Sequence, residues 1–141
     1  MEPALDIVTL GVDDLARSTA FYEAFGLRRR LRDLTGVAFF EAGGVVLGLY
    51  PLDALAAEAG APADRPAFVA SSLACNLPSK AAVDAQIARA LAVGATVRAP
   101  AQDRFWGGYS GYVGDLDGFV WEIAWNPHFV RDAQGRLQLA D

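Results

Sequence analysis

The chain holds one cysteine, Cys75, and one histidine, His128, in 141 residues, so the side chains that most often bind transition metals or pair as nucleophile and base are nearly missing. A lone thiol closes no internal disulfide and builds no thiolate cluster, a count that fits a reducing cytoplasm. Positive charge is also scarce: 12 basic against 17 acidic residues leave a formal charge of −5. That balance argues against nucleic acid and against an anionic membrane surface, since both are held largely by cations. No apolar run reaches the roughly 18–20 residues that span a bilayer. Met1-Glu2-Pro3-Ala4 lacks the basic start of a signal peptide. The expectation is a cytoplasmic protein with no membrane and no nucleic-acid partner. GxSxG, phosphate-loop and dinucleotide fingerprints are missing too, and Gly107-Gly108 lacks the strand–helix setting such a fingerprint needs.

What is present is a globular mix, 53% apolar and 21% charged, enough to bury a core in one domain or in two small halves sharing one. LDIVTLGV, from Leu5 to Val12, predicts a strand, and Asp13-Asp14 offers a helix cap. Residues 14–25 place Leu15, Ser18, Thr19, Tyr22 and Phe25 on one side of a helix that Gly26 stops. LRRRLRD, GVAFFEA and GVVLGLY read as three short strands, so residues 5–52 form a βαβββ module. Residues 53–66, rich in alanine, glycine and proline, read as a linker. The order then restarts: AFVASSLACNL as a strand, a helix from Ala81 to Val93 capped by Ser79 and stopped by Gly94, then strands in ATVRAP, WGGYSGYVGD and GFVWEIAW. Residues 67–127 form a second module and 128–141 a C-terminal tail. The expected fold class is α+β, paired βαβββ modules forming a curved mixed sheet around a cavity suited to a small molecule.

Two segments carry a resemblance. VTLGVDDLARSTAFYEAFGL (8–27) and GDLDGFVWEIAWNP (114–127) resemble the opening and closing motifs of the vicinal oxygen chelate superfamily. That superfamily includes glyoxalase I, bleomycin-resistance proteins, extradiol dioxygenases and fosfomycin-resistance enzymes. The resemblance implies paired βαβββ modules and a homodimer. Metal-dependent members usually ligate through a His or Glu on the first strand of each module and a Glu or similar donor on the last. On this sequence those positions fall at Ile7, Gly48, Ser72 (Ser71 with a one-residue register shift) and Glu122. Only Glu122 is a competent ligand, because a divalent ion wants several charged or imidazole donors. The resemblance is therefore to a metal-ligand-poor subgroup, and no metal or other cofactor is expected.

On the closing strand Phe119, Trp121, Ile123 and Trp125 share one face, and Gly118, Val120, Glu122 and Ala124 the other. The aromatic face is expected to meet the helix, leaving Glu122 toward the cavity, where it can bind a donor group or act as a general base, or else pair structurally with a neighbour. Glu122 is the candidate catalytic residue. Tyr50, Trp106 and Tyr109, with Glu122 and the resemblance-placed Ser72, are the candidate ligand-binding residues, because a ring with a polar tip supplies contact area and one hydrogen-bonding handle. Phe39, Phe40 and Tyr112 are expected in the core. The run Arg28, Arg29, Arg30 and Arg32 reads as a solvated edge strand. His128 reads as surface and Cys75 as an inert buried thiol. The function these features predict is sequestration of a partly apolar or aromatic small molecule by a homodimer. The rival is a metal-dependent or Glu122-dependent lyase, isomerase or dioxygenase, and a third reading is a dimerisation module with a filled cavity.

Overall fold

The β-branched opening extends the chain into β1 (Ile7–Val12), and Asp14 then turns it. Its carboxylate accepts from the Arg17 N–H at 3.0 Å, satisfying one of the unpaired donors at the start of α1 (Leu15–Phe25). Gly26, at φ 115°, ends the helix in a conformation that a Cβ would strain. β2 (Arg28–Arg30), β3 (Ala38–Glu41) and β4 (Val46–Pro51) follow, and the four strands form one sheet in the order β1-β4-β3-β2. β1 runs parallel to β4, and the other pairs are antiparallel. The structure, a computed structural model, describes residues 2–139. Met1, and Ala140 and Asp141 of the expected tail, lie outside the described residues.

Ser18, Thr19, Phe21, Tyr22 and Phe25 form the buried side of α1. The aromatic rings pack on one another, Phe21 edge-on to Tyr22 at 5.0 Å and Tyr22 tilted against Phe40 of β3 at 6.0 Å between centroids. Each such ring stabilises the fold by about 1.5–3 kcal/mol through burial alone. β2 is the sheet edge, and Arg29 and Arg30 on it, with Arg32 just beyond, are answered by acids: Arg30 by Glu41 at 2.6 Å, and Arg29 and Arg32 by Glu23 at 3.8 and 2.9 Å. Charge on an edge strand discourages pairing with another chain.

The chain divides between Arg65 and Pro66 into two compact units. The expected linker is only partly one: its first half is α2 (Leu52–Ala59), stopped by Gly60 and with Ala56 buried. Alanine's helix propensity prevails there, because the prolines come later.

The second unit repeats the first. β5 (Leu73–Asn76), α3 (Lys80–Ala92), β6 (Thr96–Asp103), β7 (Tyr109–Gly114) and β8 (Val120–Trp125) build a four-stranded sheet in the order β5-β8-β7-β6, again with its first and last strands parallel. Ser79 caps α3 by accepting from the Ala82 N–H at 3.1 Å. The strand expected from residue 67 begins only at Leu73, and Ala70 before it sits in the left-handed region at φ 56°. Between β7 and β8 the Asp115 carboxylate accepts from the backbone N–H groups of Asp117 and Phe119 at 2.9 and 2.8 Å, closing the turn with Gly118 at φ 88°. The expected tail carries a small hairpin, β9 (Val130–Arg131) with β10 (Leu137–Gln138). Among the described residues no helix is long and apolar enough to cross a membrane.

Candidate functional site

Alternation along β8 decides what the second sheet presents. Gly111, paired with Ile123, lies so close to α3 that a Cβ there would meet Ile87 Cδ1 at 2.9 Å. Trp121 and Ile123 therefore bury themselves on the helix side, and Glu122, one residue out of step, takes the opposite face. Its cross-strand partner is Tyr112, whose hydroxyl donates to Glu122 Oε2 at 2.7 Å. Beside them Arg104 is fixed by Ser110, donating to its Oγ at 2.9 Å and its carbonyl at 3.0 Å, with the guanidinium 5.8 Å from the Tyr112 ring centre.

Tyr112 lines a cleft of about 580 Å³ together with Phe68, Ser71, Ser72, Arg98 and Val120. Ser71 and Ser72, the two positions the resemblance offered, both line this cleft. The hydrogen bond to Glu122 raises the pKa of Tyr112, and burial and the carboxylate's charge act in the same direction, while Arg104 opposes them. A raised tyrosine pKa means that the bond contributes fully below the ordinary value of 10.0 and is lost as pH climbs through the folded-state value. In a tyrosinate absorbance titration, the component removed by Tyr112→Phe is expected above pH 10.0 in the parent protein and nearer to it in Glu122→Gln. A component unmoved by Glu122→Gln would show that the two groups do not interact.

The other expected ligand residues are not gathered on this face. Tyr109 lies on the helix side: its hydroxyl donates to Asp84 of α3 at 2.6 Å, which raises its pKa, and Lys80 Nζ stands 5.7 Å from its ring centre and 6.0 Å from that of Trp125. Tyr112, expected in the core, takes the place assigned to Tyr109, because parity along β7 puts residue 112 and not 109 beside Glu122. Trp106 packs over Gly108 in the β6–β7 turn and does not line this cleft. Tyr50 belongs to the first unit and donates to Glu58 of α2 at 2.7 Å, a bond that raises its pKa. That partner lay in the stretch expected to be a linker. Arg104 and Arg98 were not singled out in the sequence; neither carries a local motif signal.

The first unit presents Ile7, Thr9 and Phe39 around Gly48, where a Cβ would lie 3.6, 3.2 and 3.4 Å from their side chains. Gly48 pairs with Thr9 as Glu122 pairs with Ala74, so the two modules share one register, with Ile7 and Ser72 each two residues earlier. These four positions offer one carboxylate, one hydroxyl and two groups without a donor, and among the described residues no cluster of three or more His, Cys, Asp or Glu side chains exists. Cys75 lies on β5, partly buried, and burial pushes its thiol pKa up against the opposing charge of Arg131. His128 is exposed.

The sequence matches the Glyoxalase/Bleomycin resistance protein/Dioxygenase superfamily over residues 4–123, and the chain belongs to that superfamily. Among solved structures it is similar to a glyoxalase-related enzyme from Fulvimarina pelagi, with 31% identity, a TM-score of 0.87, and coverage of 98% of this chain and 99% of that one. It is also similar to a glyoxalase/bleomycin resistance protein/dioxygenase from Nocardioides, at 27% identity and TM-score 0.72, covering 89% of this chain and 84% of that one. A third is a lactoylglutathione lyase from Agrobacterium tumefaciens, at 27% identity and TM-score 0.64, with 89% and 95% covered. No protein of curated function matches. The fold is the α+β, glyoxalase-like one, each unit a βαβββ mixed sheet.

Proposed function

We propose that the chain is a cytoplasmic small-molecule-binding protein that sequesters a partly apolar or aromatic ligand as a homodimer, without a bound metal. The observation that carries this reading is the Tyr112–Glu122 hydrogen bond: in the second unit the one carboxylate at the family's ligand positions is already held by a tyrosine. Phe68 and Val120 supply apolar wall beside that polar pair, the mix by which a pocket orients a small ligand. Holding a ligand requires no chemical step. The enzyme reading, with Glu122 as base, is favoured by the 31% identity to a glyoxalase-related enzyme.

A thermal-shift screen of aromatic compounds with and without divalent metals, beside elemental analysis of protein purified without chelator, tests the proposal. Metal far below one equivalent and stabilisation by a subset of compounds are expected, about 2.7 kcal/mol at one hundred times the dissociation constant. Glu122→Gln is expected to shrink those shifts. Metal near one equivalent that disappears in Glu122→Gln would overturn the metal-free reading in favour of the enzyme. Ligand shifts indifferent to Glu122→Gln would move the site elsewhere. Sedimentation checks the dimer.

A further inference from the structure

We infer that the cleft of the second unit selects a ligand carrying a planar carboxylate on an apolar body, and that Arg98 is the residue that reads it. The inference rests on the cleft being the ligand site and adds the chemical class of what it takes.

Arg98 reaches the cleft through an irregularity in β6. Val97 pairs with Val113, but Ala99 already pairs with Tyr112, so Arg98 is an extra residue in the ladder. A regular strand sends consecutive side chains to opposite faces; here Arg98 and Ala99 both line the cleft, as a bulge allows. The guanidinium lies along the bare backbone of β7 and its turn. A Cβ at Gly114 would stand 2.8 Å from Nε and 3.3 Å from Nη2, and one at Gly118 would stand 3.7 Å from Nη2. Two glycines thus leave room for the head group.

Among the described residues Arg98 has no ion pair or hydrogen bond, in contrast to Arg29, Arg30 and Arg32 with their acids and to Arg104 with Ser110. A guanidinium is always charged and only donates, and its flat fork matches a carboxylate through two parallel bonds. Ser71 and Ser72 can add hydroxyl donors, and Phe68, Ala99 and Val120 cover an apolar body. Glu122, reached through the Tyr112 hydroxyl, repels a doubly charged head group, which favours a carboxylate over a phosphonate.

Titrations with benzoate, benzamide and phenylphosphonate, followed by the Arg Nε–Hε NMR resonances, test the inference. Benzoate is expected to bind at least about tenfold more tightly than benzamide, the scale of a charge-assisted pair, and to shift the Arg98 resonance. Arg98→Gln should remove that preference by weakening benzoate far more than benzamide. The variant should fold, since Arg98 is exposed and unpaired. Gly114→Ala, which crowds the guanidinium, should weaken benzoate in the same direction. Equal affinities for benzoate and benzamide, or a preference that survives Arg98→Gln, would overturn the inference. Tighter binding of phenylphosphonate than benzoate would overturn the carboxylate class. Should benzamide bind and lose affinity in Glu122→Gln while charge has no effect, the small-molecule reading stands and the Arg98 inference falls. Failure of all three probes at millimolar concentration defeats the Arg98 inference, and the neutral-compound screen then judges the broader reading separately.

Discussion

Phe40→Ala is expected to destabilise the protein by about 3–5 kcal/mol, read as a lowered urea midpoint with an unchanged slope. Phe40 is fully buried on β3 and packs its ring against Tyr22 of α1. Truncation removes the burial of the ring and leaves a hole that the helix and sheet, each fixed by its own hydrogen bonds, fill only in part. A loss of this size is a large share of the 5–15 kcal/mol typical of a whole domain. The neighbouring Phe39 takes the opposite face, beside Gly48, and is only partly buried. Phe39→Ala should therefore cost clearly less. Equal losses at the two positions would contradict the assigned faces of β3.

Gly108→Ala is expected to cost about 3 kcal/mol and to alter the near-ultraviolet circular dichroism of the tryptophans. A Cβ at residue 108 would collide with the Trp106 indole and with the Trp125 carbonyl oxygen. The indole can swing aside, but the carbonyl belongs to β8, at the position where Trp125 pairs with Tyr109. Forcing extra volume into so tight a contact strains the strand pairing itself. Gly135→Ala is the control: nothing lies within 4 Å of its Cβ direction, so only the cost of a positive φ remains, roughly 1–2 kcal/mol. A Gly108→Ala variant as stable as the parent would mean that the Trp125 carbonyl does not lie against residue 108, and an unchanged tryptophan circular dichroism would mean that Trp106 does not lie over it.

Phe39 and Phe40 are adjacent and equally apolar, and no local signal separates them; the separation comes from α1, which covers one face of the sheet only. Trp106 and Tyr109 looked alike for the same reason. Each ring is held elsewhere, Trp106 over Gly108 and Tyr109 by Asp84, and the place beside Glu122 goes to Tyr112, whose even-numbered position on β7 matches Glu122 on β8. The partner of Tyr50, Glu58, was hidden because α2 begins in a segment whose prolines and glycines read as a connection.

Apart from α2 and the β9–β10 hairpin, which lie in stretches read as a linker and a tail, the amino-acid order alone settled the order of strands and helices, the repeat of βαβββ, the caps at Asp14 and Ser79 and the place of Glu122 on the face of β8 away from α3. All of these depend on neighbours a few residues apart, through backbone hydrogen bonds, side-chain alternation and residue chemistry. Only the tertiary structure decided that Tyr112 holds Glu122, that Ser110 holds Arg104 on the same face, and that Arg98 is turned into the cleft. Those outcomes depend on the register between strands and on one extra residue in β6, which distant pairings fix and no short stretch of sequence contains.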